Sequence, residues 1–522
     1  VFLTKGQTTM VVTFNQKTLW ISIAVTPLDH KYFSYKQLGF NYNNYIFTRN
    51  AEKKNKDNEK DILLCRNIDR SIRPYLPDNF PYNIAIDSWN LSVSDDDVLV
   101  PLLMGISGGL LNLGIIDEAI MPIILDSLNL TATVYNHKIS NLEMGTKSTP
   151  IETIIDQLQQ QLNHYDEYNN TIKSHFNGDK YLQQVDQYKT QENFLVKETL
   201  ESIGNFKKNY HQWESHLDEI IQLIMARIND KVHDQFIHGS WNKFMDQWIL
   251  DQLAHGQMVD IKFFTEQIFI EVKKKLFCQN LLKNKIRQDG RAFEDGRPIT
   301  LEECPLSNFH NSVSLVKGKT RLLIGGYFLP QDKNYEYKVH VKYIFNNFIN
   351  PKRSSNRREI GHGSLIEKSI NKVVHDNNWK AFFNCYIPNS DGSSSMLSVI
   401  GCGLMMEKFS WSLDKISGIS IGLIEDGKKQ NFLVDIAENE DFYCSMDMKI
   451  TSTKDGIVAI QLDVKNQGIS LDLLDKALKL GQKHNNKIIK TLYKNSNEAI
   501  KSFYYNNDGL KFIDCKNYFS LR

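Results

Sequence analysis

Two aspartates and a lysine lie close together in Glu440–Lys449, which reads Glu-Asp-Phe-Tyr-Cys-Ser-Met-Asp-Met-Lys. Met446, Met448 and Ile450 alternate with Asp447, Lys449 and Thr451, the period of a strand with one buried face. Asp447 and Lys449 therefore share the polar side. Thr453-Lys454-Asp455-Gly456 follows as a hairpin turn, and Ile457 to Val464 returns as a second strand. Asp441 is expected on the bend leading in from a strand over Phe432–Ile436. The combination of Asp441, Asp447 and Lys449 suits a divalent metal or acid–base chemistry. Taken alone, the same residues also describe a solvated hairpin face.

Two further stretches suit an anion. Asp391-Gly392-Ser393-Ser394-Ser395 leads into a helix whose apolar positions are Met396, Val399, Ile400 and Leu404. A helix N-terminus offers unpaired N–H groups and a partial positive charge, Gly392 permits close approach, and the hydroxyls add donors. Ordinary serine capping is the alternative. Arg357-Arg358-Glu359-Ile360-Gly361-His362-Gly363 precedes another helix, with Leu365, Ile366, Ile370 and Val373 on its apolar face. Paired arginines grip phosphate oxygens with bidentate geometry, and the glycines around His362 free the backbone to reach a ligand.

The elements that must hold these residues belong to a long chain. At 522 residues, three or four domains are expected. Lys plus Arg (62) and Asp plus Glu (61) nearly cancel, so any surface for nucleic acid must be local. The seven cysteines form no Cys-x-x-Cys pair and read as reduced, buried thiols. No apolar run is long enough to span a bilayer, so no membrane is expected as a partner. The chain opens on Val1, and its Asn-, Lys-, Ile- and Tyr-rich composition suggests an AT-rich genome. Strands and turns fill the first part, with hairpins expected over Val1–Phe14, a polar loop over Asn41–Lys60, and helices over Ile62–Arg73 and Asp95–Leu113. Pro150 then opens a helical, Gln- and Asn-rich segment whose Trp213, Trp241 and Trp248 are expected in its core. Strand patterns return at Arg287-Gln-Asp-Gly-Arg, and an amphipathic helix over Leu471–Leu492 precedes the tail.

The two strand-rich parts resemble each other. Gly6-Gln-Thr-Thr-Met-Val-Val is set on Gly318-Lys-Thr-Arg-Leu-Leu-Ile, Gly105 on Gly401, and Leu128-Asn-Leu-Thr-Ala on Met446-Asp-Met-Lys-Ile. The first copy then carries Asn129 and Thr131 in place of Asp447 and Lys449, and Asp97, Val98 and Leu99 in place of the three serines. Residues required for folding would be kept in both copies. Polar residues kept in one copy mark a site.

Arg357–Gly363, Asp391–Met396, Glu440–Lys449 and Asp455–Lys465 together resemble the second ribonuclease PH core of the polynucleotide phosphorylase family, and Arg66–Pro74 resembles its first core. The resemblance implies an α+β chain of two ribonuclease PH-like (ribosomal protein S5 domain 2-like) cores joined by an all-α domain. Expected bounds are a degenerate, non-catalytic first core over 1–145, the all-α linker over 146–280, a catalytic second core over 281–492 and a tail over 493–522. It further implies a 3′-to-5′ exoribonuclease that uses inorganic phosphate as co-substrate, releases nucleoside diphosphates and works as a homotrimeric ring around single-stranded RNA. By that similarity Ser393, Ser394, Ser395, Arg357 and Arg358 bind phosphate, and Asp441 and Asp447 hold Mg²⁺ or Mn²⁺. Catalytic roles fall to Asp441, Asp447, Lys449 and His362, and RNA contacts to Phe47 and Arg49. The departures are Ser445 where the family carries a third Asp, Tyr386 and Asn389 in place of acidic residues, a shortened first core between Ala119 and Leu128, and no KH or oligonucleotide-binding-fold domain after Leu492. A mitochondrial location is expected. The alternative function is a catalytically weak structural subunit of a larger ribonucleoprotein, and a helicase is a further candidate partner.

Overall fold

The computed structural model describes residues 8–14, 17–27, 38–43, 59–76, 82–91, 98–183, 185–186, 197, 200–201, 274–302, 311–330, 338–346, 357–375, 379–408, 414–427 and 429–503. Phe47, Arg49, the three tryptophans of the linker and most of that linker lie outside them.

The first copy opens with strands β1 (Thr8–Phe14), β2 (Lys17–Pro27) and β3 (Leu38–Asn43), helix α1 (Glu59–Ile72), strand β4 (Tyr82–Asn90) and helix α2 (Leu99–Asn112). The sheet order is β1-β2-β4-β3, with β3 and β4 parallel. Strands β5 (Met121–Leu125), β6 (Leu130–Tyr135) and β7 (Lys138–Thr149) follow, then helices α3 (Ile151–Leu162) and α4 (Tyr165–His175). Strand β7 thus carries the first copy to Thr149, past the expected boundary at 145.

The second copy repeats this plan with β8 (Ile299–Glu302), β9 (Asn311–Lys317), β10 (Thr320–Pro330), β11 (Val339–Phe345), helix α5 (Arg357–Asn371), β12 (Trp379–Asn389) and helix α6 (Ser394–Lys408). Its order, β11-β12-β10-β9-β8, is that of the first sheet with one strand added. Then come β13 (Ser417–Asp426), β14 (Lys429–Val434), the short helix α7 (Glu438–Tyr443), β15 (Met446–Ser452), β16 (Ile457–Val464) and helix α8 (Leu471–Phe503). Helix α8 runs beyond Leu492, and Asp441 stands on α7 rather than on a bend after a strand.

Strands from both copies join in one seven-stranded sheet, β14-β13-β15-β16-β7-β6-β5, antiparallel throughout. Its junction is β16 against β7, with Ile460 opposite Met144. Helices α5 and α6 fill the space between this sheet and the five-stranded one, while α3 and α8 cover the other face through Ile154, Leu158, Leu474 and Leu478. The two small-residue helices sit alike. A Cβ on Gly105 would lie 2.4 Å from Ile21 Cδ1, and one on Gly401 would lie 2.3 Å from Ile324 Cδ1.

That match fixes the register of the repeat and corrects one expectation. Phe14 pairs with Lys17 across the first hairpin as Lys317 pairs with Thr320 across the second. Phe14 therefore occupies the place of Lys317, and the segment after Gly6 is not the counterpart of Gly318-Lys-Thr. A period of two repeats at every second residue, so alternation alone leaves the register of a strand open.

Candidate functional site

Strand β15 alternates as expected: Met446, Met448 and Ile450 enter the core shared with α3 and α8. Its polar side is buried too. Asp447 is 6% exposed, because the opposite face of the sheet lies under α5 and α6. Lys449 donates to Asp447 Oδ2, and Gln461 and Ser420 flank Lys449 on the neighbouring strands. Asp447 Oδ1 is buried and without a hydrogen-bond partner among the described residues. Lys465 donates to the backbone carbonyl of Asp441 and stands 3.5 Å from its carboxylate. The two carboxylates are pushed in opposite directions. Burial and the Asp447 charge push Asp441 above the ordinary carboxylate value. Burial acts on Asp447 in the same sense, but the Lys449 ammonium, with Lys465 and Arg70, outweighs it and holds Asp447 below that value.

Paired carboxylates with an unused buried oxygen fit a hard divalent cation that keeps positions for water and substrate phosphate, as Mg²⁺ does. Ser445 adds no carboxylate, and its hydroxyl donates to Leu423 O at 3.2 Å. No group of three or more metal-ligating side chains gathers among the described residues.

The serine loop approaches from the other side of β13. Gly392 (φ 79°) and Ser393 (φ 57°) are left-handed, and a Cβ on Gly392 would lie 2.6 Å from Ile436 O. A left-handed residue leading into a helix forms a concavity of N–H groups suited to anions. Ser393 Oγ shares a hydrogen bond with Ser420 Oγ, and Ser420 stands opposite Lys449. Ser394 Oγ accepts from the Tyr343 hydroxyl at 2.8 Å, while Ser395 Oγ is buried without a partner among the described residues.

Arg357 and Arg358 form the first turn of α5 instead of preceding it, and the Arg358 guanidinium lies 5.4 Å from the Phe345 ring centroid. The glycines serve packing: a Cβ on Gly361 would meet Arg66 Nε at 2.9 Å, and one on Gly363 would meet Val341 O at 3.1 Å. His362 lies beneath, 4% exposed and edge-on to Tyr343 at 5.1 Å between centroids. Burial and the charges of Arg358, Lys449, Arg66 and Arg70 hold its pKa well below the usual histidine value, so it is neutral.

Several residues here were not read as part of the site from sequence. Helix α1 of the first copy brings Arg66, which donates to Arg357 O at 3.1 Å, and Arg70, which pairs with Glu143 at 3.1 Å and Asp463 at 3.4 Å. Burial and Arg70 lower the Arg66 pKa to about 10. Behind the serine loop, fully buried Asp435 holds Arg297 at 2.8 Å and Lys317 at 2.7 Å. Arg287 locks Glu440 with a hydrogen bond of 2.7 Å and so anchors α7, which carries Asp441. The available signal was Asp435 itself, a lone carboxylate closing the apolar run Phe432-Leu-Val.

A duplicated sheet-and-helix unit with a serine-loop helix facing a carboxylate-bearing hairpin defines a ribonuclease PH-type protein with two cores. Residues 414–484 match the family model described as 3′ exoribonuclease family, domain 2. A polyribonucleotide nucleotidyltransferase of Thermodesulfovibrio yellowstonii is 26% identical over 494 residues, covering 84% of this chain and 66% of the relative. One from Oceanobacillus iheyensis is 23% identical, covering 90% and 70%. Another, from Campylobacter concisus, is 32% identical over 260 residues, covering 45% and 36%. Among solved structures, a chain of the Archaeoglobus fulgidus exosome with RNA bound to the active site has a TM-score of 0.35 and 18% identity, covering 43% of this chain and 99% of that one. Over most of its length the chain is similar to polyribonucleotide nucleotidyltransferases, the polynucleotide phosphorylases. It spans about two thirds of the length of the curated relatives it matches.

Proposed function

We propose that this chain is a 3′-to-5′ exoribonuclease that shortens single-stranded RNA by phosphorolysis. The observation that carries this reading is the link through Ser420, which joins the anion-suited serine loop to the strand bearing Asp447 and Lys449. Inorganic phosphate held by Ser393, Ser394 and Ser395, with Arg357 and Arg358 at the rim, attacks the terminal phosphodiester. A new P–O bond forms, the P–O3′ bond breaks, the 3′-oxygen takes a proton, and a nucleoside diphosphate leaves. Such a displacement needs positioning and neutralised charge more than covalent help. Asp441 and Asp447 would hold Mg²⁺ or Mn²⁺, which supplies charge neutralisation at the phosphoryl and departing oxygens. Lys449 adds a fixed positive charge beside them. Neutral, buried His362 orients the arginine-bearing turn of α5 from below.

The proposal includes a homotrimeric ring, supported by exposed apolar residues on the outer sheet faces: Val11 on one copy, Leu329 and Tyr386 on the other. It also includes RNA contacts by Phe47 and Arg49, a helicase or ribonucleoprotein partner, and a mitochondrial location, with a cytoplasmic one as the alternative. Light scattering on the purified chain reads the trimer directly, and a monomer removes it. The decisive assay supplies the chain with Mg²⁺, single-stranded RNA and phosphate. Nucleoside diphosphates are expected. Monophosphates released without phosphate would mean hydrolysis, and no release at all would leave the structural subunit, the reading that the Ser445 substitution favours.

A further inference from the structure

The serine loop can present N–H groups to an anion only if its carbonyls face elsewhere, and one side chain turns them. Arg297 Nη1 donates to Asp391 O at 2.6 Å, and Nη2 lies 3.4 Å from both Gly392 O and Ile436 O. Thr320 reinforces this, its hydroxyl donating to Gly392 O at 3.0 Å and accepting from Asp391 N at 2.9 Å. The guanidinium is itself aimed by Asp435, which accepts from Arg297 Nε at 2.8 Å, Nη2 at 2.9 Å and the backbone N–H at 2.9 Å. Lys317, 1% exposed, holds the other side of the same carboxylate. Asp435 is fully buried and left-handed at φ 56°, a backbone state that a residue other than glycine keeps only when its surroundings impose it.

The repeat separates this clamp from the common scaffold. Phe14 stands where the second copy has Lys317, and Lys17 where it has Thr320. The first copy passes from β5 to β6 through Asp126–Leu128, with nothing to match the segment carrying Asp435. A clamp needed to fold the unit would occur in both copies. This one accompanies the serines.

We propose that Arg297, held by Asp435 and Lys317, is a positioning residue that sets the phosphate-binding face of the Gly392–Ser395 loop. The inference rests on the reading of that loop as the inorganic phosphate site.

The test uses the full chain and two variants. Arg297→Lys keeps the charge but loses the fork. Arg297→Met combined with Asp435→Asn removes one charge of each sign, so no buried carboxylate is left unpaired, and the amide oxygen at position 435 still accepts from the Lys317 ammonium. Each is measured for phosphate KM, kcat, RNA KM and the rise in Tm caused by inorganic phosphate without RNA. The double variant is expected to raise phosphate KM about tenfold or more, with kcat at saturating phosphate and RNA KM within roughly threefold of the parent. Arg297→Lys should recover part of the loss. A double variant with lower Tm but unchanged phosphate KM and unchanged phosphate-induced Tm rise would reduce the clamp to scaffold and overturn the proposal. If the parent chain releases no diphosphates yet is stabilised by phosphate, the exoribonuclease reading fails alone, and loss of that stabilisation in the double variant still supports the clamp. A parent with neither response overturns both.

Discussion

Asp447 carries the sharpest single-residue expectation. Its replacement by Asn keeps the shape and removes the charge facing Lys449, so diphosphate release should fall at least about a hundredfold while the circular dichroism spectrum is unchanged. His362 has a different signature. Because its folded pKa lies below its unfolded value, the unfolded chain takes up a proton that the folded chain refuses once pH drops below about 6.5. Its neutral form is therefore at no disadvantage above that pH, and stability is lost toward acid at up to about 1.4 kcal/mol per pH unit. Chemical unfolding at about pH 7 and about pH 5.5 should show this slope, and His362→Gln should flatten it. An equal slope in both proteins would show that His362 takes up its proton without unfolding. Asp447, Lys449 and the serines stood out in the sequence because the first copy carries other residues at their places. Arg297, Asp435 and Arg66 did not. Charged residues far apart in the chain announce burial only when their partners are known, and those partners come from other elements.

The serine loop and the small-residue helices are the elements most exposed to substitution. Gly392→Ala must adopt a left-handed φ and push Ile436 O aside, so a loss of about 1–2 kcal/mol in unfolding free energy is expected together with weaker phosphate stabilisation. Gly401→Val would drive its branch into Ile324 and cost about 1–3 kcal/mol by overpacking, lowering Tm with little effect on phosphate KM. Comparing the two variants separates a loop shaped for a ligand from a helix shaped for a sheet. At this scale the hairpin of β15 and β16 and helix α6 followed from their apolar periods. The start of α5 did not: Gly361 and Gly363 suggest a loop by composition, whereas tertiary contact with Arg66 and β11 requires glycines inside the helix.

At the scale of the molecule, the seven-stranded sheet makes the two copies one folding problem. Residues 281–522 alone would expose β16 as an unpaired, apolar edge, the kind of edge that recruits other chains. This fragment is expected to aggregate on size-exclusion chromatography and to become soluble when co-expressed with residues 1–180. A monodisperse fragment would show that the junction is dispensable. The shared sheet was hidden from sequence, since β7 and β16 each read as an ordinary strand and only their pairing reveals the seam.

Arg66 against Gly361 gives that seam a history. Arg66 belongs to the copy without the serine triplet, yet it forms part of the wall on which helix α5 of the other copy rests. A side chain gained at Gly361 must displace the Arg66 guanidinium or meet a smaller residue at position 66. Among related chains, these two distant positions should be inherited as a pair, and the ancestral duplication is preserved less by what the first half does than by what it holds in place.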